Sequence, residues 1–158
     1  MDPKREFLRH TLATLAYRGG KAIATEQAGF AATCVGSGCR SAIENLAHIG
    51  DLFDWALSMA KGQAVWKTAL PQTWEAEAKR FHDGLQRLDD YLATDAPLGC
   101  PAEKLFQGPI ADALTHVGQI ATLRRVAGYP VRGENYFKAE VTVGRVGPDQ
   151  SAKRVEFD

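Results

Sequence analysis

The stretch GPIADALTHVGQIATLRRVAG, residues 108–128, decides how this chain is read. Proline at a first helical position lacks only an N–H that would have had no partner, so Gly108-Pro109 predicts a helix start. Gly128, with Pro130 just beyond, predicts its end. Asp112 and His116 lie four apart inside it, a spacing that brings both side chains to one face. Such a pair is either ordinary polar dressing or two ligands of one metal ion. The choice turns on whether another helix delivers a third ligand at the same height.

Three more helices emerge upstream from apolar spacing of three and four residues. The first runs roughly from Pro3 to Thr25, with Phe7, Leu8, Leu12, Leu15 and Ile23 among its apolar positions, and Gly19-Gly20 marking a bend or a close helix–helix approach. Ser41 followed by Glu44 fits a capping box, which starts a second helix that runs to about Lys61. Ile43, Leu46, Ile49, Phe53, Ala56 and Leu57 give it a core face. Pro71-Gln72-Thr73 opens a third, amphipathic helix through Trp74, Phe81, Leu85, Leu88 and Leu92. With short connections the default for four consecutive helices is an all-α, up-down-up-down four-helix bundle. Residues 1–158 then form one domain, with a C-terminal extension over about 129–158. In that extension NYFKAEVTVGRVG shows short alternation, which predicts a strand or an irregular strap. A lone strand has no partner in the chain and must pair elsewhere or stay irregular.

The bundle supplies the third ligand. If helices 2 and 4 run the same way, His48 lies seven residues beyond Ser41, and Asp112 and His116 lie four and eight beyond Gly108. At ~1.5 Å per residue these heights are roughly 10, 6 and 12 Å, so His48 falls between the other two. Two imidazoles and a carboxylate make a three-ligand site with open positions, suited to catalysis more than to a closed structural zinc site. The plainer reading stands beside it: Asp112 complementing the helix dipole, His48 as a core histidine and His116 facing water. Glu44, one turn before His48, is a candidate fourth ligand that its capping duty disfavours. His10 and His82 have no comparable constellation and read as partly exposed helix residues. A diiron carboxylate site is disfavoured because the required Glu-x-x-His pairs are missing.

Composition narrows the class. The 158 residues are 45% hydrophobic and 24% charged, with 19 basic and 19 acidic side chains and a net charge of zero. Neutrality argues against a dedicated nucleic-acid binder. No apolar run approaches the ~20 residues of a membrane helix, and the charged start MDPKREFLRH carries no secretory signal. Three cysteines, Cys34, Cys39 and Cys100, without a CxxC pair, predict no disulfide framework and a reducing, cytoplasmic setting. Gly36-Ser37-Gly38, between the first two, lacks the lysine and hydroxyl of a phosphate loop and reads as a flexible connection.

CRSAIENLAHIGDLFDW, followed about 70 residues later by DALTHVGQIATLRRVAG, resembles the DinB/YfiT-like family of metalloenzymes, a damage-inducible helical family unrelated to the polymerase of that name. The resemblance spans roughly residues 5–130. It implies a divalent metal held by His48, His116 and the residue at position 112, where the family more often has histidine. The carboxylate of Asp112 shifts preference toward Mn, Fe or Ni, with Zn still suited. The resemblance further implies a metal-dependent transferase of a low-molecular-weight thiol such as bacillithiol or mycothiol, or a related metal-assisted hydrolase. The partners it implies are a thiol or other small-molecule substrate and a second copy in a homodimer, with no nucleic acid and no membrane. Gln119 is placed to orient a ligand or bridge helices, and Tyr136 and Phe137 to cover the mouth. The alternative is a non-enzymatic stress-related bundle, or one that senses or sequesters a small molecule.

Overall fold

Asp2 opens the first helix in a computed structural model that describes residues 2–157. Its carboxylate accepts from the Lys4 N–H at 3.0 Å and Pro3 follows at the first position, so α1 runs Pro3–Ile23. Ser41 and Glu44 form the predicted capping box, with Glu44 Oε2 accepting from Ser41 N at 2.7 Å, and α2 spans Ala42–Ala60. Thr73 caps α3, Trp74–Ala93. Helix α4 begins at a turn, Ala102–Leu105, passes through a π-helical turn, Phe106–Ile110, and continues as Ala111–Val126.

That start corrects the sequence reading by six residues. Pro109 sits inside the helix, where it offers no N–H to the carbonyl four residues back and crowds it. The π turn absorbs the misfit, with the Ala111 N–H reaching Phe106 O. The end is as read: Gly128 adopts φ +85°, Tyr129 N–H bonds Arg124 O at 2.8 Å and Gly128 N–H bonds Arg125 O at 3.2 Å. This pairing closes the last turn as a Schellman motif, which needs the left-handed glycine.

The helix directions overturn the up-down-up-down order. Arg9 pairs with Asp89, and the Trp74 indole donates to Ile23 O, so α1 and α3 are opposed. Arg80 bonds Ala47 O and Asp51 while Arg87 bonds Asp54, so α2 and α3 run the same way. Asn45 meets His116 and His48 meets Asp112, so α2 and α4 are opposed. Lys4 with Glu103, and Arg124 with Thr25 O, set α1 and α4 parallel. The reason is the connection between α2 and α3. Residues 62–73 are extended enough to reach ~40 Å, more than the ~28 Å length of the 19-residue α2. They climb back along it: Val65 N–H bonds Ser58 Oγ at 2.9 Å, and Ala69 N–H bonds Asp51 at 3.3 Å. α3 therefore starts at the same end as α2.

Leu12, Leu15, Leu46, Ile49, Phe53, Phe81, Leu85, Leu88, Leu105 and Ile120 are fully buried between the helices. Gly19 is a close approach, because a Cβ there would lie 2.5 Å from the Phe81 ring. The tail forms a two-stranded antiparallel sheet, β1 (Gly133–Glu134) with β2 (Glu156–Phe157), outside the stretch whose alternation suggested a strand. That stretch is an irregular strap: Val146 is fully buried and Val141 packs against the core, while Phe137 is 97% exposed. Buried Glu134 anchors the strap, accepting from Tyr17 Oη at 2.6 Å and Lys21 Nζ at 2.8 Å. Lys21 also bonds Glu156 at 2.9 Å.

Cys34 and Cys39 are joined as a disulfide, which corrects the expectation of free thiols. Gly36 and Gly38, both at positive φ, fold the five-residue separation back until the two Cα atoms are 5.9 Å apart. Cys100 is free and half-buried. No helix among the described residues is long and apolar enough to cross a membrane.

Candidate metal centre

His48 on α2 and Asp112 and His116 on α4 come together, with one ligand atom from each within 4.8 Å of the others. His48 Nε2 lies 3.7 Å from Asp112 Oδ2, and His116 Nε2 lies 3.5 Å from Asp112 Oδ1. The two imidazoles stand edge to face with centroids 4.6 Å apart. The heights meet for a different reason from the one read in the sequence. Asp112 is ten residues beyond Ala102, ~15 Å into its helix, and His48 is twelve residues before Ala60, ~18 Å from the far end of its own. In opposed helices these distances run from the same end of the molecule. The six residues added before Gly108 thus compensate for the reversed direction.

The separations suit a shared cation. Direct hydrogen bonds between carboxylate and imidazole would close to about 2.8 Å. Two ligands of one tetrahedral ion, each at ~2.1 Å, stand ~3.4 Å apart; here each imidazole faces its own oxygen of Asp112, at 3.5 and 3.7 Å, and one ligand atom from each residue lies within 4.8 Å of the others. The His48, Asp112, His116 group can therefore hold a metal ion.

One residue that the sequence reading passed over makes the donor set specific. Asn45 is buried on α2, and its Oδ1 lies 2.8 Å from His116 Nδ1. The Asn45 amide is itself oriented, since Nδ2 donates to Arg40 O at 3.1 Å and Ser41 O at 3.0 Å. Its Oδ1 must then accept, His116 Nδ1 carries the proton, and the Nε2 lone pair faces His48 and Asp112. The available signal was spacing: Asn45 and His48 are three apart and share a helix face.

Burial holds both imidazoles below the ordinary 6.5, so each keeps a lone pair at neutral pH. For His48 the charge of Arg40 pushes the same way, with Asp112 opposing. For His116, Asp112 opposes most strongly, while His48 and Arg40 add to the lowering and a hydrogen bond to Gln119, which would favour the protonated ring, resists it. Gln119 thus sits beside His116, as its one-turn spacing suggested. Glu44 is spent on its cap and takes no part. Asp112, with its side chain 48% exposed, is the open side of the group.

Trp66, carried on the returning segment, packs edge-on against His48 at 5.6 Å and against Trp55 at 5.5 Å. Nothing in the helical periodicity pointed to it, because it lies in a connection. Tyr136 and Phe137 do not cover the site: Tyr136 packs on Tyr17 and beneath Arg18 of α1. His10 is exposed, and His82 Nδ1 lies 3.1 Å from Val146 O of the tail. Compared with family models, curated proteins and solved structures, the chain finds no match.

Proposed function

We propose that this chain is a DinB/YfiT-like four-helix metalloprotein in which His48, Asp112 and His116 hold one divalent cation. The observation that carries the reading is the convergence of two imidazole Nε2 atoms and a carboxylate, with the His116 tautomer set by Asn45. Zn, Ni, Mn and Fe all accept such a donor set, and the carboxylate favours the harder members. Bound there, the cation would supply Lewis acidity, lowering the pKa of a thiol or water at an open coordination position. The protein's own part is to orient and to shield. Asn45 aims His116, Asp112 contributes the neutralising charge, and the Trp66 ring excludes water on the His48 side. Among the described residues no other His, Cys, Asp or Glu joins the group at ligand distance. The reaction class is accordingly transfer of a low-molecular-weight thiol to an electrophile, or a related metal-assisted hydrolysis.

The test is metal analysis of protein purified without an affinity tag, then a screen of thiols against electrophiles with and without chelator. His48→Ala and His116→Ala should each lose most of the bound metal; a stoichiometry equal to the parent removes that residue from the site. Asp112→His should retain a site and move its preference toward softer ions. Protein that carries no metal and melts unchanged after chelation would favour the non-enzymatic reading instead.

A further inference from the structure

We infer that the cleft beside the triad takes the anionic end of the substrate, a small carboxylate-bearing molecule with an apolar body, with Arg40 as its counter-charge. The inference rests on the metal-site reading for the reacting end of the substrate, and not for the carboxylate subsite itself.

The cleft, about 590 Å³, opens between the α1–α2 connection and the outer face of α4. Its wall adjoins the metal centre directly, because Asn45, the partner of His116, is part of it. Val35, Leu123 and Val126 give it an apolar lining, and Thr115, Gln119 and Thr122 supply polar groups on one helix face. Arg40 is the one charged residue in the lining. It is exposed, and its guanidinium makes no ion pair among the described residues. Glu44, the acid that feels its charge, turns Oε2 to Ser41 N at 2.7 Å and Ser41 Oγ at 2.9 Å, so it does not close on Arg40.

Arg40 is also held in place. Its carbonyl accepts from Asn45, the adjacent Cys39 is tied back to Cys34, and Ala42 N–H bonds Thr33 O at 2.9 Å across the base of the loop. These contacts fix the backbone from which the side chain extends, and its planar guanidinium can form a two-pronged bond to a carboxylate. A divalent cation bound at the triad would add its charge to that of Arg40 and together they would outweigh Asp112 and Glu44, while without it the carboxylate subsite rests on Arg40 alone. A carboxylate at Arg40 whose chain runs past Gln119 and Thr115 carries the other end of the molecule toward His116, while Leu123 and Val126, seven and ten residues further along α4, flank the outer end of the cleft.

The probes are hexanoate and phenylacetate, each against its neutral amide, titrated calorimetrically into metal-loaded protein and into protein stripped by chelator. The parent should bind the acids in preference to the amides. Arg40→Met should weaken the acids by about tenfold or more, leave the amides unchanged and keep the parent's metal stoichiometry. Arg40→Lys should recover part of the loss. Acid binding that survives Arg40→Met but disappears on stripping would put the carboxylate on the metal and overturn the assignment. Equal affinity for acid and amide, or no saturable binding of either acid, would overturn it as well. If the parent holds no metal, the metal-site reading fails, while acid binding sensitive to Arg40→Met would still uphold the cleft.

Discussion

Asn45→Ala separates orientation of a ligand from its mere presence. In the parent, His116 Nδ1 meets Asn45 Oδ1 at 2.8 Å, and Asn45 Nδ2 bonds the carbonyls of Arg40 and Ser41. The Ser41 carbonyl keeps a second donor, Asn45 N, at 2.9 Å, and Arg40 is exposed, so those two acceptors lose little. The cost concentrates on the buried imidazole N–H left without a partner, about 1–3 kcal/mol. For a domain of this length that lowers the melting temperature of metal-free protein by roughly 2–4 °C per kcal/mol. Metal affinity should fall further, by about 10–100-fold, because the free ring can rotate or change tautomer and withdraw Nε2. Asn45→Asp keeps an acceptor for Nδ1 and should retain most of the affinity. Competition with a chromophoric chelator reads the constant, and the Trp66 indole, 5.6 Å from His48, offers a fluorescence signal for the same titration. If Asn45→Ala binds metal as tightly as the parent while His116→Ala does not bind, the orienting role of Asn45 is refuted.

Three further outcomes follow from the packing. Gly99→Ala should destabilise strongly, since a Cβ there would lie 2.2 Å from the backbone of Gly62, whereas Gly118→Ala meets nothing and should stabilise α4 by up to about 1 kcal/mol; urea titration of the pair checks both. His48, His82 and His116 all have lowered pKa values in the fold, chiefly through burial, with the Val146 carbonyl and then Asp83 opposing at His82. The unfolded chain therefore binds more protons below about pH 6.5, so metal-free protein should lose stability as pH falls from there toward the lowered folded values and be level above it. His82→Gln should make that acid limb shallower, and an unchanged limb would remove His82 from the account. Truncation after Gly133 removes the buried Val146 and leaves Lys21 and Tyr17 without Glu134. It should lower the melting temperature, since burying one such side chain is worth about 1.5–3 kcal/mol; a truncated protein that keeps both its melting point and its mass in solution makes the tail dispensable.

Local signals carried a good part of the molecule. The Ser41–Glu44 capping box, the Thr73 start and the Gly128 stop are written within a few residues each and are present where the sequence placed them, and the apolar faces of the first three helices are buried apart from positions such as Phe7, which is exposed. The ligand types and the four-residue step from Asp112 to His116 are equally local, because a helix converts that step into a shared face without reference to anything else. Direction is not local. Whether α3 turns straight back from α2 or starts again at its beginning depends on the path of residues 62–73, and a twelve-residue connection is long enough for either. The contacts of Ser58, Asp51 and Trp55 with that segment decide it. The start of α4 likewise needed its neighbours. A glycine–proline pair ordinarily opens a helix, and continuing through it takes a π turn with Leu105 and Ile110 both fully buried. The sequence by itself thus determined that there are four helices, where most of their ends fall and which side chains have ligand chemistry, since those depend on neighbours one to four positions apart. The tertiary structure alone decided that α2 and α4 oppose each other, that Asn45 fixes the His116 tautomer, that Cys34 and Cys39 pair, and that Arg40 and Trp66 flank the site. Those are contacts between elements, or within a loop folded by its glycines, and no short-range pattern encodes the path that brings them together.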